Sequence, residues 1–144
     1  MKKSNNKGFS LVELIIVIAI MVVLVAVIAP QYLKYVNNAK VSTDVQTASD
    51  LATAIDVAVA DGSAPFGKNT TITAGPSGTL KIGTLDLSTV KSKYDSTANF
   101  TITGDDTSGV TKITLKVGTT DYIVYPDPEN TTNGIADTTK GLKK

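Results

Sequence analysis

Four residue types are missing from this sequence, and each absence narrows what the protein can do. There is no cysteine, histidine or tryptophan, and all 14 basic residues are lysines. Without cysteine, disulfides, thiol catalysis and cysteine-ligated metal sites are excluded. Without histidine, the commonest general base and transition-metal ligand are lost, so we expect neither an enzyme nor a cofactor. Lysine without arginine, together with few aromatics, argues against sequence-specific nucleic-acid binding.

The charged residues are divided unevenly along the chain. The formal net charge is +1, yet Lys2, Lys3 and Lys7 all fall within the first eight positions. Residues 9–144 carry 11 basic and 13 acidic side chains, so their charge is 11 − 13 = −2. The positive character is therefore confined to the N-terminal end, and the rest of the sequence has no basic footprint for a polyanion.

A long apolar run follows this basic start. Between Phe9 and Ala29 only Ser10 and Glu13 are polar, and the 16 residues from Leu14 onward are uncharged. A helix rises about 1.5 Å per residue, so roughly 20 residues cross the hydrocarbon core of a bilayer. A carboxylate in such a span costs about 2.5–3.5 kcal/mol at its centre and less near its end. Glu13 therefore needs a partner or a function.

Three interpretations of this segment are possible. A secretory signal peptide needs an apolar stretch of about 7–15 residues followed by a small-residue cleavage site. Residues 26–29 match such a site weakly, but the apolar stretch is too long. A plain membrane anchor would hold the lysines on the cytoplasmic side, yet it leaves Glu13 unexplained. The third interpretation uses the whole segment.

The string KGFSLVEL at positions 7–14 resembles the class III signal of type IV pilins. In that family a short basic leader ends in glycine, and a membrane-embedded aspartyl peptidase cuts after it and methylates the new N-terminal amine. The resemblance implies a leader at residues 1–8, cleavage between Gly8 and Phe9, and N-methylation of Phe9. The apolar helix is kept, so residues 9–30 would first span the membrane and later lie in the filament core.

The same resemblance gives roles to two further residues. In the assembled filament Glu13 would pair with the Phe9 amine of a neighbouring subunit, in a low dielectric where the pair must offset its desolvation. This favours axial register, because a misplaced subunit would bury an unpaired carboxylate. Pro30 removes a backbone donor and clashes with the preceding turn, so it would kink or weaken the helix, or only mark the end of the span.

The pattern changes after this proline. From Gln31 to Ala60 apolar residues recur every three or four positions, and neither glycine nor proline occurs before Gly62. The spacing predicts that one helix extends over about 9–60. Its amphipathic half is the segment at residues 31–62. Other faces of this half should carry the polar side chains, namely Lys34, Lys40, Asp44, Gln46, Asp50 and Asp56.

Residues 63–144 are rich in small polar residues and predict a β-rich head. Short Thr-, Val- and Ile-rich segments bounded by turn residues predict five strands, of which the last three form an antiparallel meander. These strands are Thr70–Ala74, Thr79–Leu87, Ala98–Gly104, Val110–Val117 and Asp121–Tyr125. A short helical turn is expected within 88–95, and an irregular tail from Pro126. One face of the sheet should cover the helix, which gives the α+β fold of a type IV pilin.

Other candidate sites are weaker. Oxygen ligands in the tail could hold Ca²⁺, but their spacing fits no defined loop and favours a solvated segment. These ligands are Asp127, Glu129, Asn130, Asn133 and Asp137. Asp105 and Asp106 are best explained as turn residues. Three glycosylation triplets begin at Asn69, Asn99 and Asn130, as chance produces in a chain rich in Asn and Thr.

The resemblance implies a structural subunit that polymerises with copies of itself, a major pilin of a type IV pilus used for adhesion or motility. Without cysteine it lacks the C-terminal disulfide of many Gram-negative pilins and is more similar to Gram-positive ones. Implied partners are the prepilin peptidase, an assembly ATPase, a membrane platform protein and the cytoplasmic membrane, crossed once before the subunit reaches the cell surface. The alternatives are a pseudopilin of a type II secretion system or competence pilus, and a monomeric membrane-anchored binding domain.

Overall fold

The computed structural model describes residues 8–63, 70–75, 81–82, 85–87, 90–105, 107–128 and 134–136. In the part of the chain that the structure describes, one helix, α1 (Leu11–Ala60), precedes six strands. The strands are β1 (Thr70–Ala74), β2 (Lys81–Ile82), β3 (Leu85–Asp86), β4 (Asn99–Asp105), β5 (Gly109–Val117) and β6 (Thr120–Tyr125). The chain divides into two units, Met1–Tyr35 and Val36–Lys144.

In the first unit residues 14–29 make the helix apolar around its whole circumference. Every side chain from residue 8 to residue 35 is exposed. By length and composition α1 is able to cross a membrane. The helix continues through Pro30, which has no N–H to donate to the carbonyl of Ala26. This unit therefore has a surface that water does not favour and that needs an apolar partner.

The second unit buries one face of the amphipathic half of α1 in a common core with an antiparallel sheet. The sheet has the order β1-β4-β5-β6, so its last three strands form a meander. The fully buried side chains of the sheet include Phe100, Ile102, Ile113 and Leu115, and Val117 is partly buried beside them. From the helix, the core contains Val41, Ala48, Leu51, Ala52, Ile55 and Ala58. The structure thus confirms the predicted α+β class.

The helix bounds and four of the five predicted strands agree with the structure within about two residues, whereas Thr79–Leu87 is wrong as a single strand. It forms β2 and β3, which pair with each other as a separate two-stranded sheet. Gly83 in the middle of this segment disfavours a continuous strand because it has no side chain to pack. The described part of the predicted turn, residues 90–95, is also not helical. This segment bends to place two N–H groups on a carboxylate of α1.

The tail beyond β6 is irregular where it is described, but it returns to the core. Gly134 forms a parallel bridge with Ile123, and the N–H of Ile135 donates to the carbonyl of Ile123 at 2.9 Å. The side chain of Ile135 is fully buried. The irregular backbone therefore contributes to the core, which the pattern of the sequence does not predict.

Asp44 and Asp56 of α1 accept hydrogen bonds from other parts of the second unit. These contacts correct the prediction that both side chains lie away from the apolar face of the helix. Asp44 is 0% exposed and accepts hydrogen bonds from the Ser92 hydroxyl at 2.6 Å and the Lys93 N–H at 2.6 Å. It also accepts from the Tyr94 N–H at 3.1 Å. Half-buried Asp56 accepts from the Val110 N–H at 2.7 Å. Asp44 lies three residues after Val41 and four before Ala48, on the buried face.

Gly109, at the start of β5, is expected to resist substitution for two separate reasons. Its φ is +66°, and an added Cβ would collide with the Asp56 carboxylate, 3.0 Å from its Cγ. Gly118 has a similar φ of +61° but nothing within 4 Å of the added Cβ. Gly118→Ala should therefore cost about 1–2 kcal/mol of unfolding free energy from backbone strain alone. Gly109→Ala should cost about 1–3 kcal/mol more, because the Asp56 hydrogen bond is also disturbed.

Denaturant unfolding of the two variants in detergent measures this difference directly. Equal destabilisation would show that the contact between Asp56 and the β4–β5 turn has no energetic consequence.

Acid is expected to weaken two local turns of the second unit. The Thr97 hydroxyl and N–H donate to the Asp95 carboxylate and lower its pKa below the ordinary value of 3.8. The pKa of Asp61 is lowered by the Ser63 hydroxyl and then by its N–H. Both pKa values are lower in the folded than in the unfolded protein. Each carboxylate therefore stabilises the folded state above about pH 4, and this contribution is lost as the pH falls through the folded pKa. In Thr97→Val, NMR titration should show a higher pKa for Asp95; an unchanged pKa would contradict this assignment.

Candidate processing and assembly site

The segment directly before α1 has no regular structure and is exposed. Gly8, Phe9 and Ser10 are non-helical and exposed, and Phe9 is 91% exposed. A Cβ added at Gly8 would meet nothing within 4 Å. The bond between Gly8 and Phe9 is therefore accessible, and the fold places no steric demand on glycine there.

Glu13 fixes the point at which the helix begins. Its Oε2 accepts a hydrogen bond from the Ser10 N–H at 2.8 Å, and the Leu14 N–H donates to the Ser10 carbonyl at 3.3 Å. A Ser followed three residues later by Glu is a capping-box pattern, in which the glutamate satisfies the N-cap N–H. The carboxylate also lies at the positive end of the helix dipole. Glu13 thus has a local partner within its own chain.

The helix begins at Leu11, two residues later than expected, because of this cap. The sequence contains a signal from which this start could have been predicted, Ser10 three residues before Glu13 ahead of an apolar run. The late start of the helix affects the predicted cleavage site. The residues on both sides of the Gly8–Phe9 bond stay out of the helix, while Glu13 remains on its exposed first turn.

The remaining candidate sites have little support. Among the described residues no three Asp or Glu side chains lie close enough to hold a metal ion. The calcium candidates Glu129, Asn130, Asn133 and Asp137 lie outside the described residues, as do Asn69 and Asp106. Asp105 accepts hydrogen bonds from the Thr107 and Ser108 N–H groups at 2.8 and 2.7 Å, which confirms it as a turn residue.

Comparison with known proteins points to one family. Residues 3–29 match the model of the prokaryotic N-terminal methylation motif. A type IV major fimbrial protein FimA of Dichelobacter nodosus is 43% identical over 60 residues, which are 42% of this chain and 38% of that protein. A fimbrial protein of Pseudomonas aeruginosa is 42% identical over 57 residues, covering 40% and 37% of the two chains. In these matches the chain thus spans about two-fifths of the relatives' length. No solved structure matches the chain.

A longer match extends well into the head. Another fimbrial protein of Dichelobacter nodosus is 33% identical over 117 residues, which cover 81% of this chain and 71% of that protein. The relatives are named fimbrial proteins, in agreement with the prediction that the chain is not an enzyme. On the N-terminal motif, the extent of this match and the α+β fold, the chain belongs to the type IV pilin family.

Proposed function

We propose that this pilin is cut between Gly8 and Phe9, methylated on the new Phe9 amine, and polymerised into a type IV pilus. The observation that carries the proposal is the exposed, non-helical Gly8–Ser10 segment directly before a helix whose first 25 residues are all exposed and nearly all apolar. A peptidase can reach the exposed Gly8–Ser10 segment, and an apolar environment must cover the apolar part of the helix.

Four segments follow from this assignment. Residues 1–8 are the leader, and residues 9–30 are the half of the helix that spans the membrane before assembly and lies in the filament core afterwards. Residues 31–62 form the amphipathic half, and residues 63–144 the head with its tail. Burial of the apolar half against other subunits would hold the fibre together through many small packing contacts.

The partners of the proposed pathway act at different stages. A prepilin peptidase meets the Gly8–Phe9 bond at the membrane. An assembly ATPase and a platform protein then extrude the subunits, and the finished filament serves adhesion or motility at the cell surface. The curated relatives are named fimbrial proteins, which favours a pilus over a pseudopilus or a monomeric anchor.

Gly8→Val is expected to leave nearly all of the protein uncut. A branched side chain at the scissile bond keeps the backbone out of a narrow peptidase cleft. The fold itself should be unchanged, because a Cβ at position 8 meets nothing within 4 Å. The length of the protein in membrane extracts, by mass spectrometry, measures the result.

Asn5→Val is the matched control, since it adds the same side chain three residues before the bond. It should be cut like the native sequence. Normal cutting of Gly8→Val would contradict the proposed cleavage site. Sheared surface fibres then test assembly: the account requires this chain to be their most abundant protein.

A further inference from the structure

The apolar half of α1 is followed at once by two exposed tyrosines and a lysine. Tyr32 is 63% exposed and Tyr35 is 71% exposed, and the Lys34 side chain between them is exposed as well. All three lie in the first unit, which ends at Tyr35. From Val36 the side chains begin to be half-buried. We call Tyr32, Lys34 and Tyr35 the junction residues.

We propose that the junction residues anchor the helix in the phospholipid headgroup layer while the subunit waits in the membrane. This inference rests on the proposed function, because it requires residues 9–30 to span a bilayer. Its partner is chemically defined as the phosphate-bearing interface of that bilayer, and the anchor sets how deeply the helix sits.

The position of the junction residues matches the thickness of that interface. Tyr32 and Tyr35 lie three and six residues beyond Ala29, which is about 4.5 and 9 Å along a helix. The headgroup layer extends about 5–8 Å beyond the hydrocarbon on each side. Helical side chains lean toward the N-terminus, so both rings tilt back toward the hydrocarbon.

The chemistry of the three side chains matches the interface as well. Tyrosine has an apolar ring and a polar hydroxyl, and for this reason it is enriched where hydrocarbon meets headgroups. The helical period places the two tyrosines on one side and Lys34 on another, so the anchor does not depend on a single face. Lysine can extend its stem along apolar surface and place its ammonium at the phosphates.

Charge along the helix favours the same partner. Between Glu13 and Asp44 the only charged residues are Lys34 and Lys40. The segment that leaves the membrane is therefore uniformly positive, which complements the phosphates of the lipid headgroups. No carboxylate in this stretch of sequence opposes the attraction.

The absence of tryptophan makes the depth of the junction measurable. We suggest three single-tryptophan variants of the full chain, each reconstituted in vesicles of phosphatidylcholine and phosphatidylglycerol: Tyr32→Trp, Val22→Trp and Val57→Trp. Their fluorescence is quenched by lipids that carry a nitroxide either at the headgroup or deep in the acyl chain. Val22 marks the middle of the apolar run, and Val57, 60% exposed, marks the amphipathic half of α1 in the second unit.

The headgroup nitroxide should quench the fluorescence of Tyr32→Trp at least about twofold more strongly than the deep nitroxide does. Val22→Trp should show the reverse order, and Val57→Trp should be quenched by neither. Tyr35→Trp should show the same order of quenching as Tyr32→Trp. Agreement between the two variants excludes a local distortion in one of them as the cause.

The quenching results distinguish a failure of the headgroup anchor from a failure of the membrane span. If Val22→Trp is quenched from the deep position but positions 32 and 35 are unquenched or quenched mainly from the deep one, the anchor is wrong and the membrane span stands. If Val22→Trp is not quenched by the deep nitroxide, the helix does not span the bilayer, and the membrane stage of the proposed function falls together with the anchor.

Discussion

Glu13→Ala is expected to abolish incorporation of the subunit into filaments while the head stays folded. In the proposed fibre the carboxylate meets the Phe9 amine of a neighbouring subunit in an apolar core. Removing one partner of a buried ion pair costs about 3–5 kcal/mol, because the other charge stays buried and unpaired. At about 1.4 kcal/mol per tenfold change, each contact weakens about 10²- to 10⁴-fold. Immunoblots of sheared surface material and of membranes measure the change.

Glu13→Gln is the informative control, because the structure shows a second role for this side chain. An amide oxygen can still accept the Ser10 N–H, so the helix cap is kept while the negative charge is lost. The account predicts that Glu13→Gln also fails to assemble. Normal assembly of this variant would show that the cap, and not the intersubunit ion pair, is what the filament requires.

Asp44→Ala is expected to destabilise the second unit by about 3–5 kcal/mol, because an unsatisfied donor costs about 1–3 kcal/mol and three donors are affected. The substitution leaves the Ser92 hydroxyl and the Lys93 and Tyr94 N–H groups without the acceptor that the buried Asp44 carboxylate provides. Tyr94 packs against the core and Ser92 is buried, so the freed segment also exposes apolar surface. In a unit of this size the midpoint of thermal unfolding should fall by about 10–20 °C.

The matched control for Asp44 lies on the same helix. Asp50 is exposed and accepts a local hydrogen bond from the Gln46 amide at 2.8 Å. Asp50→Ala should change the unfolding free energy by about 0.5 kcal/mol or less. Thermal unfolding in detergent, followed by the near-ultraviolet signal of the tyrosines, compares the two variants. Equal effects would contradict the assignment of Asp44 as the acceptor that holds residues 92–94.

Local pattern was enough to predict most of the fold. The three-to-four-residue spacing after Gln31 predicts the helix, and alternation with turn residues predicts the meander β4-β5-β6 to within about one residue. These elements depend on neighbours in sequence, so a single chain carries their signal. The site followed from its motif in the same way, and its roles in cleavage and assembly stay predictions.

What sequence reasoning missed depends on contacts between distant positions. Asp44 reads as one more polar residue on an amphipathic helix, because its three donors lie 48–50 residues away in an irregular segment. The buried Ile135 is likewise defined by its bond to Ile123 across the tail. The Ser10–Glu13 cap is different, since its spacing is visible in the sequence and was overlooked.

The most direct test of the account is the intact mass of the protein isolated from its native membrane and from sheared fibres. The account predicts a chain that begins at Phe9, without residues 1–8 and with one added methyl group on the N-terminal amine. A mass that retains Met1, or one that places the cut near Ala29, would contradict it.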